Sequence, residues 1–224
     1  MAKLEIKPDL ERQELIRHLG GRKACRLSYS IQTKIEELSA RAVELIKPVV
    51  HYQSKRIERR DGKSIALEGG ISFRSQRISK TIGRCEEVIC FIATIGNDIE
   101  REITKLLAEN HLSEAYILDA MGSVAVENLV EKFHGGFITE NERRGRGVTL
   151  RFSPGYCDWS IRDQRKIFSL FESDSLEVEL TDSYFMRPRK SISGIFGIAL
   201  FPLDPSEYNP CLECPKLDCT MRRI

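Results

Sequence analysis

The chain has 224 residues, 41% of them hydrophobic, which is enough to bury a core as one large domain or two small ones. Its 35 basic and 33 acidic residues leave a formal net charge of +2, which excludes an overall field for gathering nucleic acid or coating a membrane. The N-terminus lacks the apolar run of a secretory signal, and no stretch reaches the ~18 apolar residues of a membrane span, so we expect a cytoplasmic protein with neither nucleic acid nor membrane as partner.

The first part of the chain is predicted to contain helices and a hairpin. Residues 9–19 and 30–46 carry apolar side chains at steps of three and four, the spacing of amphipathic helices. Two extended stretches then flank Asp61 and Gly62, a pair suited to the positive backbone angles of a tight turn. We expect residues 1–85 to form N-terminal helices and a hairpin that pack on the core.

Residues 86–203 are predicted to form that core. Residues 86–96 are apolar and β-branched, as in a buried central strand, and a helix follows from Asn97 or Asp98. Residues 113–133 are apolar almost all round, which predicts a central helix. Further predicted elements are a polar loop at 134–147, a short strand and turn at 148–156 and a helix at 163–171. Strands are predicted at 176–180 and 192–200, with a turn-like stretch at 181–191 between them. Without a regular βαβ rhythm, this order favours an α+β fold with a twisted, mostly antiparallel sheet flanked by helices.

The segment RFSPGY, residues 151–156, has the composition of a ligand site. Arg151 offers a planar donor fork that matches a carboxylate, and the Pro-Gly turn can present backbone groups at close range. Tyr156 can pack on an adenine or a sulfonium. S-adenosylmethionine has all three features. The alternative is a plain turn in which Arg151 makes a surface ion pair and Tyr156 packs into the core.

Two ordered motifs resemble one known family. RFSPGY is similar to the R-x-x-x-G-Y signature of the activation, or reactivation, domain of cobalamin-dependent methionine synthase. About thirty residues later, LTDSYFMRPRKSISG is similar to that domain's L-T-x-S-x-x-M-x-P-x-x-S-x-S-G segment. The helix that contains DAMGSVAVE resembles the helix before the signature, and the likeness covers roughly residues 89–201. The chain therefore looks like a free-standing form of this family, with the fold of its activation domain.

The resemblance implies a role in repairing a corrinoid methyltransferase in methionine biosynthesis. In the family, the domain docks over cobalamin on a corrinoid partner, such as a methionine synthase subunit, and presents S-adenosylmethionine to the cobalt. Cobalt(II) accepts an electron from a flavodoxin- or ferredoxin-like donor, and methyl transfer traps the cobalt(I). This is reductive reactivation, and whether such an accessory component is itself an enzyme stays open. The alternatives are a corrinoid-binding module without S-adenosylmethionine and a small Cys-ligated metal or iron-sulfur redox protein.

The resemblance also implies contacts residue by residue. Arg151 would bind the carboxylate of S-adenosylmethionine, and Ser153 would offer backbone contacts. In the second motif, serine and glycine can equally permit a tight strand entry, and Met186 is more often core filler. The family's paired tyrosines have no clear counterpart in this sequence, and Tyr208 is the one nearby candidate. The implied contact residues are Arg151, Ser153, Gly155, Tyr156, Met186, Ser193, Gly194 and Tyr208.

The predicted C-terminal tail, residues 204–224, is rich in cysteine. Cys211, Cys214 and Cys219 have C-x2-C-x4-C spacing, and such thiolates suit zinc or an iron-sulfur cluster. Cys157 is the preferred candidate for a fourth ligand, with Cys85, Cys90, a histidine or an exogenous ligand as alternatives. Thiols in a frayed terminus without any metal are the competing interpretation.

Several charged residues have more than one possible role. Asp119 and Glu127 lie eight apart on the central predicted helix and could share a face, although capping or a solvated edge explains them as well. Basic clusters at 55–63 and 142–147 could meet phosphate, RNA or an acidic electron donor, although solvated loops are commoner.

Overall fold

The computed structural model describes residues 1–20, 28–204, 209, 212 and 217. Short 3-10 helices lie at Ile161–Asp163 and Ser173–Ser175. The other elements, in chain order, are strand β1 (Ala2–Leu4), helices α1 (Arg12–His18) and α2 (Tyr29–Leu45), strands β2 (Val49–Arg60), β3 (Ser64–Leu67) and β4 (Ile71–Arg74), helix α3 (Gln76–Ile82), strand β5 (Glu87–Thr94), helices α4 (Asp98–Ala108) and α5 (Leu112–Glu142), strand β6 (Gly147–Val148), helix α6 (Gln164–Phe168), and strands β7 (Glu179–Leu180), β8 (Met186–Arg187) and β9 (Ser191–Ala199).

A seven-stranded sheet organises these elements. Its order is β4-β3-β2-β5-β9-β6, and β1 pairs with β2 beside this path. All of these pairings are antiparallel, and β7 and β8 form a separate antiparallel pair. The central strand β5 is buried from Val88 to Thr94, as its apolar, β-branched sequence predicts. The predicted α+β class with a mostly antiparallel sheet is confirmed.

Side chains that alternate along the central strands feed two separate core clusters. Ile89, Phe91 and Ala93 of β5 pack with Phe196 of β9 against the buried face of α5. Val88, Cys90 and Ile92 of β5, on the opposite face, pack with Ile195 of β9. The second cluster also takes in α3, α6 and the loop between β6 and α6, through Ile78, Ile167, Phe152 and Trp159. The sheet therefore separates an α5 layer from an α6 layer.

Helix α5 is longer than the sequence predicts. The loop expected at 134–147 is wrong over its first nine residues, because α5 continues to Glu142. Phe137 packs edge-on against Phe133 and Phe196, which gives this stretch an apolar anchor. His134 donates from Nε2 to the carbonyl oxygen of Thr149 at 2.8 Å, which fixes the helix to the chain that follows β6. Tertiary contacts therefore extend a helix that its polar sequence alone would end.

The predicted hairpin is confirmed, with its turn at Asp61 and Gly62. Gly62 has a φ of 75°, and the Asp61 carboxylate accepts hydrogen bonds from the amides of Lys63 and Ser64. Strand β8 lies where the sequence predicts only a turn-like stretch, and β1, β4 and α3 carry no prediction at all. Within the described ranges, no helix is long and apolar enough to cross a membrane.

Candidate functional site

A cavity of about 520 Å³ lies beside the segment 151–156. After β6 the chain continues along β9, where Phe152 and Ile195 exchange two backbone hydrogen bonds of 2.8 Å. It then turns away at Pro154 and Gly155, whereas residues 191–193 of β9 continue along the cavity wall. The cavity is therefore the space that opens where the two chain segments separate.

The turn that shapes this space depends on backbone conformations that few residues adopt easily. Gly155 has a φ of 93° and donates its amide to the carbonyl of Trp159 at 2.9 Å. Cys157 also has a positive φ, 53°. The Trp159 ring is buried, and its Nε1 donates to the Asp163 carboxylate at 2.9 Å. The turn is thus tied to the start of α6.

Asp158 anchors the same turn to helix α3. Its carboxylate accepts hydrogen bonds from the Ser75 hydroxyl at 2.5 Å and from the Gln76 amide at 2.6 Å. Burial pushes the pKa of Asp158 upward, but these hydrogen bonds and one from the Arg77 amide outweigh it and hold the pKa below its usual value. The carboxylate stays ionised near neutral pH and caps the first turn of α3.

Arg151 is buried in an ion pair with helix α5. Its Nη2 donates to Oε2 of Glu127 at 2.6 Å, and both residues line the cavity. The alternative predicted an ion pair at the surface. Arg151 does form an ion pair, but its side chain is buried, so that alternative is wrong about its location. A guanidinium has five N–H donors, so this bond leaves others to meet a second acceptor in the cavity.

A second ion pair lies two helical turns earlier on α5. Lys190 Nζ contacts Asp119 Oδ1 at 2.8 Å and Ser123 Oγ at 2.9 Å. The lysine stem passes close to Gly122, where an added Cβ would lie 3.2 Å from Lys190 Cε. Asp119 and Glu127 thus each form an ion pair with a basic side chain from outside the helix. Asp119 and Lys190 do not belong to the cavity wall.

Two buried polar atoms in the cavity wall have no hydrogen-bond partner within the described part of the chain. They are Oε1 of Gln164, whose residue is 3% exposed, and Oγ of Ser193, whose residue is 2% exposed. An unsatisfied buried polar atom costs about 1–3 kcal/mol, so such atoms are rare without a ligand or water to meet them. Each atom has almost no accessible surface, so neither is open to a ligand in the cavity.

Apolar side chains surround these polar groups and the opening of the cavity. Phe152, Ile161 and Met186 contribute to the wall. Tyr156 and Phe185 also line the cavity and are exposed, so the alternative that Tyr156 packs into the core is wrong. Exposed apolar side chains grouped around a cavity are typical of a surface that meets a ligand or another protein.

The structure brings most of the candidate contact residues to one place. Gly155 and Gly194 shape the backbone instead, since a Cβ at Gly194 would lie 2.5 Å from the Phe152 carbonyl oxygen. Tyr208 lies outside the described residues. Sequence reasoning missed Gln164, which carries no motif, and weighed Glu127 only as a charge on a helix face. The candidates that line the cavity are Arg151, Ser153, Tyr156, Met186, Ser193 and, from the metal set, Cys157.

The metal prediction falls mostly on residues that the structure does not describe. Cys211, Cys214 and Cys219 lie outside the described ranges. Burial raises the pKa of Cys85 and of Cys90 to about 12, so neither is a ready thiolate ligand near neutral pH. Among the residues that are described, no group of three or more His, Cys, Asp or Glu side chains could hold a metal ion. A zinc or iron-sulfur site in the tail stays a prediction.

Comparisons with known proteins agree with this geometry. The family model for the activation domain of vitamin B12 dependent methionine synthase matches residues 47–201, which contain both motifs and the cavity. A crystal structure of the MetH reactivation domain bound to AdoHcy matches with a TM-score of 0.63 and 14% sequence identity, covering 88% of this chain and 78% of that chain. At this identity the likeness shows the fold alone. No curated protein sequence matches the chain.

Proposed function

The chain belongs to the family of vitamin B12-dependent methionine synthase activation domains, and on that basis we propose that its cavity binds S-adenosylmethionine to support reductive reactivation of a corrinoid methyltransferase such as methionine synthase. The MetH reactivation domain with the similar fold was solved with AdoHcy, the same nucleoside without the methyl group. The family and this ligand support the proposal, and the wall of the cavity supplies the physical reasons for it.

The Arg151–Glu127 pair is the observation on which the proposal rests. The amino-acid end of S-adenosylmethionine carries a carboxylate and an ammonium group. Arg151 has further N–H donors for the carboxylate, and the Glu127 carboxylate can accept from the ammonium. Bound in this way, the four charges alternate in sign, so that no uncompensated charge is buried.

The remainder of the cavity suits the nucleoside. Its volume of about 520 Å³ lies within the range usual for small-molecule sites, and its wall is largely apolar. Tyr156 is exposed beside it and can pack on an adenine ring or on the positive sulfonium. A zwitterionic end on Arg151 and Glu127 and an aromatic end among apolar side chains match the two ends of this ligand.

Bound S-adenosylmethionine would supply a methyl group activated on a sulfonium. The residues of this chain would hold the ligand in one orientation and keep water from it, which is the protein's main contribution when a cofactor carries the reactivity. The exposed rim of Tyr156, Ile161 and Phe185 would meet the corrinoid partner.

A flavodoxin- or ferredoxin-like electron donor is part of the same proposal, and the exposed Arg59 and Lys63 near the β2–β3 turn would suit its acidic surface.

Calorimetric titration with S-adenosylmethionine and AdoHcy tests the proposal. We expect the parent protein to bind both ligands, and Arg151→Gln to bind them about 1.5–3 kcal/mol more weakly through loss of a charge-assisted hydrogen bond. That loss corresponds to roughly a 10- to 150-fold increase in Kd. Lys190→Gln is the matched control, because it alters an ion pair on the same helix outside the cavity, and it should change Kd less than about twofold.

Thermal unfolding of each variant shows whether it is folded before titration. A folded Arg151→Gln protein with the affinity of the parent would remove Arg151 from the site. Failure of the folded parent to bind either ligand would overturn the proposal. If such a parent still captured a corrinoid protein, the chain would instead be a corrinoid-binding module that does not use the nucleoside.

A further inference from the structure

Burial alternates residue by residue along the segment that leads from β8 into β9. Phe185, Arg187 and Arg189 are exposed, whereas Pro188 and Lys190 are buried. Such alternation places the exposed side chains on one face of the chain, as along a strand. Phe185 and Arg189 also line the cavity. Together, Phe185, Arg187 and Arg189 form an outer stripe at the edge of the cavity.

The backbone beneath the outer stripe is fixed on both sides by other residues. At the hairpin tip, the Arg165 guanidinium of α6 lies 4.8 Å from the centre of the Tyr184 ring and 3.2 Å from the Asp182 carboxylate. At the start of β9, the Lys190 amide donates to Oε1 of Glu100 at 2.9 Å. The segment is therefore held in place without help from the side chains of the outer stripe.

The two arginines of the outer stripe are unpaired. Neither guanidinium has an ion-pair or hydrogen-bond partner among the residues that the structure describes. Glu179 lies opposite Arg187 in the β7–β8 pair, yet no ion pair joins their side chains. Phe185, beside them, is 72% exposed. Aromatic and arginine side chains are the types enriched at protein–protein interfaces and among the residues that dominate binding energy there.

The ligand proposed for the cavity does not supply the negative charge that these arginines lack. S-adenosylmethionine carries one carboxylate against an ammonium group and a sulfonium, and the proposed contact of that carboxylate is Arg151. Glu127, in the cavity wall, is already paired with Arg151. The positive charge of Arg187 and Arg189 therefore suits acidic groups on a partner molecule.

From these observations we infer that the outer stripe is the docking surface for an acidic patch on the corrinoid protein. Phe185 supplies the apolar contact, and Arg187 and Arg189 pair with carboxylates of the partner. The inference rests on the proposed function and deepens it by stating the charge of the partner's surface. The motif that the sequence resembles leaves positions 185, 187 and 189 unspecified, so these residues let this chain select among corrinoid proteins by their surface charge.

Biolayer interferometry with the cobalamin-loaded methionine synthase of the same organism tests the inference at about 0.05 M and about 0.3 M NaCl. The parent should bind more weakly at high salt, because salt screens exposed charges. The double variant Arg187→Gln, Arg189→Gln should raise Kd roughly 3- to 30-fold at low salt and much less at high salt. Arg143→Gln is the matched control, since Arg143 is an exposed arginine at the C-terminal end of α5, and it should keep the parent's Kd.

Phe185→Ala separates the apolar contact from the charges. It should raise Kd roughly tenfold at both salt concentrations, because burial of an aromatic side chain is not screened by salt. The salt dependence of the parent should therefore persist in Phe185→Ala and largely disappear in the double arginine variant.

Thermal unfolding establishes that each variant is folded. A folded double variant with the parent's Kd, or a parent that does not bind the corrinoid protein or binds it equally at both salt concentrations, overturns the inference. The proposed function stands in these cases if calorimetry shows S-adenosylmethionine bound to the parent, and it falls separately if calorimetry shows none. Binding of a flavodoxin or a single-stranded oligonucleotide that the double variant loses, with corrinoid binding unchanged, would also overturn the inference.

Discussion

Two ion pairs on helix α5 have nearly the same geometry and face different surroundings. Arg151 and Glu127 are 2.6 Å apart, with side chains 8% and 33% exposed, and Lys190 and Asp119 are 2.8 Å apart, with side chains 10% and 42% exposed. Lys190 is enclosed by packed protein, since it also bonds Ser123 and passes against Gly122. Arg151 stands in the wall of a cavity. Burial and pairing alone therefore do not distinguish the two pairs, whereas the open volume beside Arg151 does.

This difference should appear as opposite responses to mutation. A charge that loses its partner in packed protein stays poorly solvated, which destabilises the fold. A charge that loses its partner beside a cavity can be hydrated there, so the free energy of unfolding falls less. Ligand affinity should fall more, because the lost partner lines the cavity. The pair at Asp119 should thus act on stability and the pair at Glu127 on binding.

The largest expected effect is on stability. Asp119→Asn should lower the free energy of unfolding by about 2–3 kcal/mol, less than the 3–5 kcal/mol of a fully buried pair because Asp119 is partly exposed. Glu127→Gln should cost about 1 kcal/mol, because water in the cavity can solvate Arg151. Urea unfolding followed by circular dichroism measures both values. Equal losses would mean that the cavity does not hydrate the guanidinium.

The next largest effect is on ligand affinity, where Glu127→Gln should have a larger effect than Asp119→Asn. Glu127→Gln should raise the Kd for AdoHcy about tenfold, because an amide accepts less strongly than a carboxylate from the ligand's ammonium group. Asp119→Asn should change the same Kd less than about twofold, provided the protein is titrated where it is folded. Calorimetry on the two proteins gives the answer, and a larger loss in Asp119→Asn would reverse the assignment of the two pairs.

A smaller effect should be visible at the cysteines. Cys157 is exposed in the cavity wall, whereas burial raises the pKa of Cys85 and Cys90 to about 12, so only Cys157 of these three should react with iodoacetamide at pH 8. AdoHcy at ten times its Kd should slow alkylation of Cys157 roughly tenfold, since about a tenth of the protein stays unliganded. Peptide mass spectrometry resolves the individual sites. Alkylation at an unchanged rate would place the ligand away from Cys157.

Sequence reasoning reached most of the fold because the informative patterns are local. The β-branched run of β5, the turn at Gly62 and the apolar first half of α5 each show their structure in consecutive residues. The last nine residues of α5 could not be predicted, because their anchors, such as Thr149, come from elsewhere in the chain. The division of the chain at residues 85 and 203 stays a prediction.

The candidate site was only partly visible in the sequence for the same reason. Arg151 and Tyr156 stand in a recognisable motif, but Gln164 joins them in the cavity wall only because α6 packs against β9. Glu127 was recognisable as a helix-face acid, yet its partner is 24 positions away in the chain. Unpaired polar atoms and open volume are properties of the folded protein, and composition does not report them.

A crystal structure of the protein with AdoHcy tests the central claim most directly. We expect the ligand's carboxylate to lie within hydrogen-bonding distance of the Arg151 guanidinium, with its amino group toward Glu127 and its nucleoside beside Tyr156. A ligand bound elsewhere, with Arg151 and Glu127 contacting only protein atoms, would contradict the proposed binding mode.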